Sequence, residues 1–367
     1  MKRIIVYGVS RIELRQDIEH FLDDDYKVIG YSDSYFKSSG VYDRPFIEPD
    51  EISSQEFDYI LLAAYEEATR NSMRKSLLAY GIPMEKIIDP MILLQKNAEK
   101  CQFDLIGDMR SHYQGEKGLI FGLSYSRKGI CKDILKVPFY DCSLPGLDLY
   151  YNFQISRYME RQGLLENVKI ALLVFPYHYF VYDMSKSPAQ YKSGQIFSIW
   201  RLDDWHHYQQ VPGAINYVES YRMFGRKISE IYCSQWFNIE SPMPYQREDG
   251  AWELEPTWFA KYEETVIENK RIFLEFCQRL KEVGIHPVLV VPPAYLRGMS
   301  QTSLQAFNEK REQFYNIVQE IEEKIGSITM FDYGDRFSRQ PEFFRDLTHL
   351  NTTGAVEFTE LINKEIL

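Results

Sequence analysis

The sequence predicts an α/β protein built on parallel sheets. Three observations carry the prediction. Short apolar runs recur along the chain, helical patterns separate them, and several runs end at glycine or other turn-forming residues. At about 100–200 residues per domain, 367 residues make two domains, or one large and one small.

The elements follow in order. Ile4-Ile5-Val6-Tyr7 is a first strand ending at Gly8, and a helical pattern continues through Ile12, Leu14, Ile18 and Phe21-Leu22. Val28-Ile29-Gly30-Tyr31 runs into the turn-like Ser32-Asp33-Ser34. Tyr59-Ile60-Leu61-Leu62-Ala63-Ala64 reads as a buried strand. A helix over about 71–80 stops at Gly81, and Ile87-Ile88 closes the segment before Pro90. This gives a small domain over residues 1–95 and a polar helical connector over 96–115.

A larger domain over 116–367 restarts the alternation at Gly118-Leu119-Ile120-Phe121-Gly122. Its further strands are Ile170–Phe175, Val288–Val291 and Ile328–Phe331. A long helix over about 266–283 stops at Gly284, and a last helix follows Gly354. Residues 185–260 do not alternate cleanly and hold all five tryptophans, from Trp200 to Trp258. They read as a helical, aromatic-rich insertion over the second sheet, either packing on it or forming a lid or acceptor-binding wall.

Composition narrows the function classes. Hydrophobic residues are 45% and charged residues 26%, which excludes a largely disordered chain. The net charge of −11 opposes phosphate backbones, so no nucleic-acid partner is expected. Five cysteines, with no CxxC pair, argue against a disulfide framework or a Cys-rich zinc site. His206-His207 has no third partner at ligand spacing, and neither a metal nor another cofactor is expected. The first apolar run is too short for a signal peptide and no stretch is long enough to span a bilayer. The expectation is a cytoplasmic protein of undetermined oligomeric state.

Three segments could carry chemistry. Gly8-Val9-Ser10 after the first strand has only the first glycine of a dinucleotide fingerprint. Gly8, Ser10 and Asp33 are its cofactor-binding candidates, for a nucleotide or a CoA-like group. Phe121-Gly122-Leu123-Ser124-Tyr125-Ser126 puts serines at a strand's C-terminal end, where open α/β sheets bind ligands. The next helix offers its free N–H groups to a developing oxyanion there. Asp346-Leu347-Thr348-His349-Leu350-Asn351 precedes the last helix. An Asp and a His at this spacing can face one cleft, with His349 as base toward a serine and Asp346 holding its tautomer. Arg127 and Lys128 read as a solvated helix start or as a site for an anionic group.

Two resemblances rest on these residues. KRIIVYGVS, VIGYSDS, FDYILLAA and LLAYGIPMEKII resemble the small Rossmann-type domain often attached to bacterial surface-polysaccharide enzymes. Residues 115–367 resemble the SGNH (GDSL-like) hydrolases, most closely the branches that include D-alanyl transfer and alginate acetylation proteins. That second resemblance implies a flavodoxin-like three-layer α/β/α domain with Ser124 as nucleophile, His349 as base and Asp346 as its partner. It also implies an oxyanion role for Gly146, within Asp141-Cys142-Ser143-Leu144-Pro145-Gly146. The family's third block carries an Asn that this chain lacks. Phe175-Pro176-Tyr177-His178-Tyr179 stands there, so Tyr177 and His178 become the substitute candidates, and Ser126 competes with Ser124.

Together these imply serine-dependent acyl transfer or ester hydrolysis on a bacterial surface glycan or its precursor. An acylated sugar would be the substrate and an acyl thioester a potential donor. The alternatives are a catalytically inactive glycan-binding or assembly module, and a nucleotide-sugar enzyme working through the first domain.

Overall fold

The computed structural model describes residues 1–9, 12–35, 44–94, 115–187, 206–207, 216, 219–220, 222–225, 227 and 263–367. The chain divides into two compact units, Met1–Met109 with Gln190–Phe237, and Arg110–Ala189 with Asn238–Leu367. Both are α/β units on parallel sheets, the first Rossmann-like and the second flavodoxin-like. The connector expected over 96–115 lies outside the described residues up to 114.

In the first unit β1 (Lys2–Tyr7), β2 (Tyr26–Ser32), β3 (Tyr59–Leu62) and β4 (Ile87–Ile88) pair in the order β2-β1-β3-β4, all parallel. Side chains alternate across a strand, so β1 divides its residues between two cores. Ile4 and Val6 join Val28 and Leu61 on one face, beneath Leu14 and Ile18 of α1 (Ile12–Phe21). Ile5 and Tyr7 join Ile60, Leu62 and Ile87 on the other, against Leu77 of α2 (Glu67–Ala79).

Part of the aromatic-rich stretch departs from expectation. Its described residues Met223 and Phe224 are fully buried in the first unit's core, with Ile4, Val6 and Val28, rather than over the second sheet. Backbone and side-chain hydrogen bonds hold them there. The Asp23 N–H donates to the Met223 carbonyl at 2.7 Å, and the Asp89 N–H to Asn216 Oδ1 at 2.5 Å. The physical reason is the two-sided hydrophobicity of β1, which leaves an apolar face for distant residues to cover. All five tryptophans lie outside the described residues.

In the second unit β5 (Gly118–Gly122), β6 (Phe139–Asp141), β7 (Ile170–Val174), β8 (His286–Val291) and β9 (Thr329–Asp332) run parallel in the order β6-β5-β7-β8-β9. The crossover reverses between β5 and β7, which opens a crevice at their C-terminal ends. Five helices are used below: α3 (Ser124–Gly129), α4 (Leu149–Arg161), α5 (Glu263–Glu282), α6 (Gln301–Ile325) and α7 (Thr352–Glu365). One sheet face, with Ile120, Leu172, Val174, Val288 and Val290, packs on Ala355, Phe358 and Ile362 of α7. On the other, Phe121 meets Phe276 of α5 edge to face, and Phe153 of α4 packs on the same ring. Among the described residues, no helix is long and apolar enough to cross a membrane.

The start of α7 matters because the Asp346–His349 loop leads into it. Asn351 caps it, its Oδ1 accepting from the Gly354 N–H at 3.0 Å. The Asn351 amide also donates to the Glu342 carbonyl at 2.6 Å. Asn351→Ala removes the cap and the bond to the Glu342 carbonyl. It should cost about 1–2 kcal/mol, read as a lower urea midpoint for unfolding.

Candidate active site

The site begins with where β5 is made to stop. The Gly122 N–H donates to Asn152 Oδ1 at 2.9 Å, and the Asn152 amide returns a bond to the Gly122 carbonyl at 3.3 Å. Asn152 is fully buried on α4, and its amide also reaches the Asp148 carbonyl and the Tyr179 hydroxyl. A Cβ on Gly122 would come within 2.8 Å of the Val174 carbonyl, so only glycine lets β5 lie this close to β7 there. The chain turns at Leu123 and Ser124 opens α3.

The structure joins the three residues singled out for catalysis. Ser124 Oγ lies 2.7 Å from His349 Nε2, and His349 Nδ1 is 2.9 Å from both carboxylate oxygens of Asp346. For Ser124 to donate to Nε2, the His349 proton must sit on Nδ1, facing Asp346. Asp346 Oδ1 also accepts from the backbone N–H groups of Thr348 at 3.0 Å and His349 at 2.8 Å. Burial by itself would raise the Asp346 carboxyl. The His349 hydrogen bond and charge, with the two backbone N–H groups, outweigh it and lower the group to about 2.

Tyr125 lies flat on His349, with ring centroids 4.8 Å apart and planes 3° from parallel. This fixes the imidazole plane and offers a π face when the ring takes up a proton. Burial, tempered by the Thr348 side chain, pushes the Tyr125 phenol up to about 12, so the ring stays neutral.

The competing serine is settled by packing. Ser126 is fully buried and its hydroxyl donates to the Leu123 carbonyl at 2.8 Å, so it braces the turn. Arg127 pairs with Asp141 at 2.8 Å, and Asp141 Oδ1 accepts from the Ser143 N–H at 2.9 Å. Arg127 thus ties α3 to the 141–146 loop. Lys128 is lowered by burial and then by Arg345, with Asp346 opposing both.

The remaining candidates separate. Gly146 takes φ +79° in the loop before α4, and its carbonyl accepts from the Tyr182 hydroxyl at 2.7 Å. The Tyr177 hydroxyl is committed to Asp332, at 2.7 and 2.6 Å from the two carboxylate oxygens. That removes it as an oxyanion donor, because a β9 carboxylate outcompetes a transient oxyanion for its one proton. His178 lies beside Tyr125, ring centroids 5.8 Å apart. Burial, then the nearby His349 and Lys310, lower His178 to about 4, so its imidazole is neutral at pH 7.

In the first unit, Gly8 takes φ +96°, and a Cβ there would strike Met73. Asp33 accepts from the Val9 N–H at 2.9 Å and the Tyr35 N–H at 2.8 Å. Both residues thus shape the turn after β1, and Ser10 lies outside the described residues. Asn152 and Tyr125 were missed as positioning residues. The one available signal for Asn152 is an amide inside the aromatic run Tyr150-Tyr151-Asn152-Phe153.

The depressed Asp346 pKa makes a prediction with a definite sign. Its stabilisation is present above the ordinary value of 3.8 and is lost as pH falls toward about 2. Near pH 7 it amounts to about 2 kcal/mol. In urea unfolding, the gap between wild type and Asp346→Asn should be widest near neutrality. It should shrink between about pH 4 and pH 2.

Residues 1–88 match a family model described as C2185-like, N-terminal. No curated protein sequence matches the chain. Among solved structures, the chain is similar to a Bacteroides fragilis NCTC 9343 protein, provisionally assigned there as an acylhydrolase. The identity is 10% and the TM-score 0.34, covering 74% of this chain and 94% of that one.

Proposed function

We propose that this chain is a serine-dependent acyl-transfer enzyme working on esters through Ser124. The observation that carries the reading is the unbroken hydrogen-bonded line from Ser124 Oγ through His349 to Asp346. A binding module has no use for a serine, imidazole and carboxylate in that order.

Ser124 Oγ attacks the ester carbonyl while its proton passes to His349 Nε2. The tetrahedral adduct collapses, the ester C–O bond breaks, and His349 gives the proton to the departing alcohol. Water or a sugar hydroxyl then attacks the acyl-enzyme, with His349 taking its proton and returning it to Ser124. Asp346 stays ionised throughout and stabilises the imidazolium.

We assign His178 the oxyanion-donor role that an asparagine fills in SGNH proteins. Its place after β7, its ring edge-on to the Tyr125 that stacks on His349, and its place in the lining of the adjoining cavity support this. The resemblance of the first unit to modules of surface-polysaccharide enzymes supports a glycan or glycan precursor as substrate. A cytoplasmic location agrees with three described cysteines being free thiols.

A fluorophosphonate probe should label the wild type but neither Ser124→Ala nor His349→Ala. A folded wild type that takes no label would point to the inactive-module alternative, and label surviving Ser124→Ala would mean another nucleophile. On a cleaved ester, His178→Ala should lower kcat by about 10²–10³.

A further inference from the structure

We infer that the cavity beside the triad binds the acyl part of the substrate, an aliphatic group of about four to eight carbons. This rests on the acyl-transfer reading above and names the acyl class for the same site.

The cavity measures about 160 Å³. Tyr125 and Thr348 belong to its lining, so it shares a wall with the triad: one ring stacks on His349 and the other residue precedes it. Its far walls come from the ends of β7 and β8 and from α6. Pro176, Pro292, Pro293, Ala306 and Phe307 make those walls predominantly apolar. Glu309 is exposed, while the half-buried Lys310 and the neutral His178 supply the polar part of the lining.

The walls are also stiff. Proline fixes φ at three positions. The Tyr177 ring is held by its hydroxyl on Asp332, and Phe307 meets that ring edge-on at 5.1 Å. A preformed apolar cavity binds a matching chain with little ordering cost. An apolar cavity of about 150 Å³ accommodates a six-carbon ring. An acetyl group would leave most of this one empty, and an octanoyl chain would about fill it.

The test has two arms. For p-nitrophenyl acetate, butyrate and hexanoate, kcat/KM should rise by about 10-fold or more from acetate to hexanoate. Ala306→Trp, which fills the cavity from α6, should lower the hexanoate-to-acetate ratio by about 10-fold. In the second arm, saturation-transfer NMR on Ser124→Ala should detect hexanoate but not acetate at equal concentration. Adding Ala306→Trp should abolish the hexanoate signal. Ester cleavage without chain-length preference, with no hexanoate bound, overturns the acyl assignment and leaves Ser124 as nucleophile. Hexanoate binding without cleavage of any ester overturns the acyl-transfer reading and the acyl role together.

Discussion

The clamp on Gly122 sets the geometry of the second unit. One buried side chain, Asn152, satisfies both backbone polar groups of the last β5 residue. The missing Cβ lets that residue approach the Val174 carbonyl. A buried amide left unpaired would cost about 1–3 kcal/mol, so this network holds only when complete. Because it is complete, β5 ends at one place and Ser124 emerges at one place. The helix it opens is too short to orient itself, and Ser126 and Arg127 fasten it to Leu123 and Asp141.

With Ser124 fixed, the electrostatics of the site follow from two imidazoles in different surroundings. His349 is tied to the Asp346 carboxylate, which the His349 bond and charge and two backbone N–H groups keep ionised against its burial. His178 has His349 and Lys310 as charged neighbours and is buried, which keeps it neutral. Two imidazoles thus lie in one cleft, one paired with a carboxylate and the other buried and neutral. Tyr125 contacts both, stacking on the first and lying edge-on to the second.

Much of this was legible in the sequence because buried parallel strands are continuous apolar runs. The strands from Ile4 to Ile88 and at 118–122, 170–174, 286–291 and 329–332 stand where such runs lie. The Asp346–His349 spacing was legible for a local reason, since one loop presents both side chains. Phe139–Asp141 was not read as a strand because a three-residue edge strand has no period to detect. Tyr177 looked like a donor because sequence gives its hydroxyl but not Asp332, 155 residues away. The expectation that residues 185–260 lie over the second sheet missed Met223 and Phe224 for the same reason, their burial being decided by a distant sheet.

The two units start from one strand pattern and diverge at the same point in it. Each reverses its strand order beside its first strand, where parallel sheets open a crevice. In the first unit, Met73 packs against Gly8, and the Asp33 carboxylate is spent on the Val9 and Tyr35 N–H groups. In the second unit the loops after β7 and β8 are stiffened by prolines and stand apart, leaving the cavity beside Tyr125. Among the described residues, side chains rather than topology distinguish the two crevices. The cavity and the Ser124–His349–Asp346 line share Tyr125, which lines the first and stacks on His349 in the second. Burying a polar group against the proline, alanine and phenylalanine walls would go uncompensated, whereas an apolar group there loses nothing.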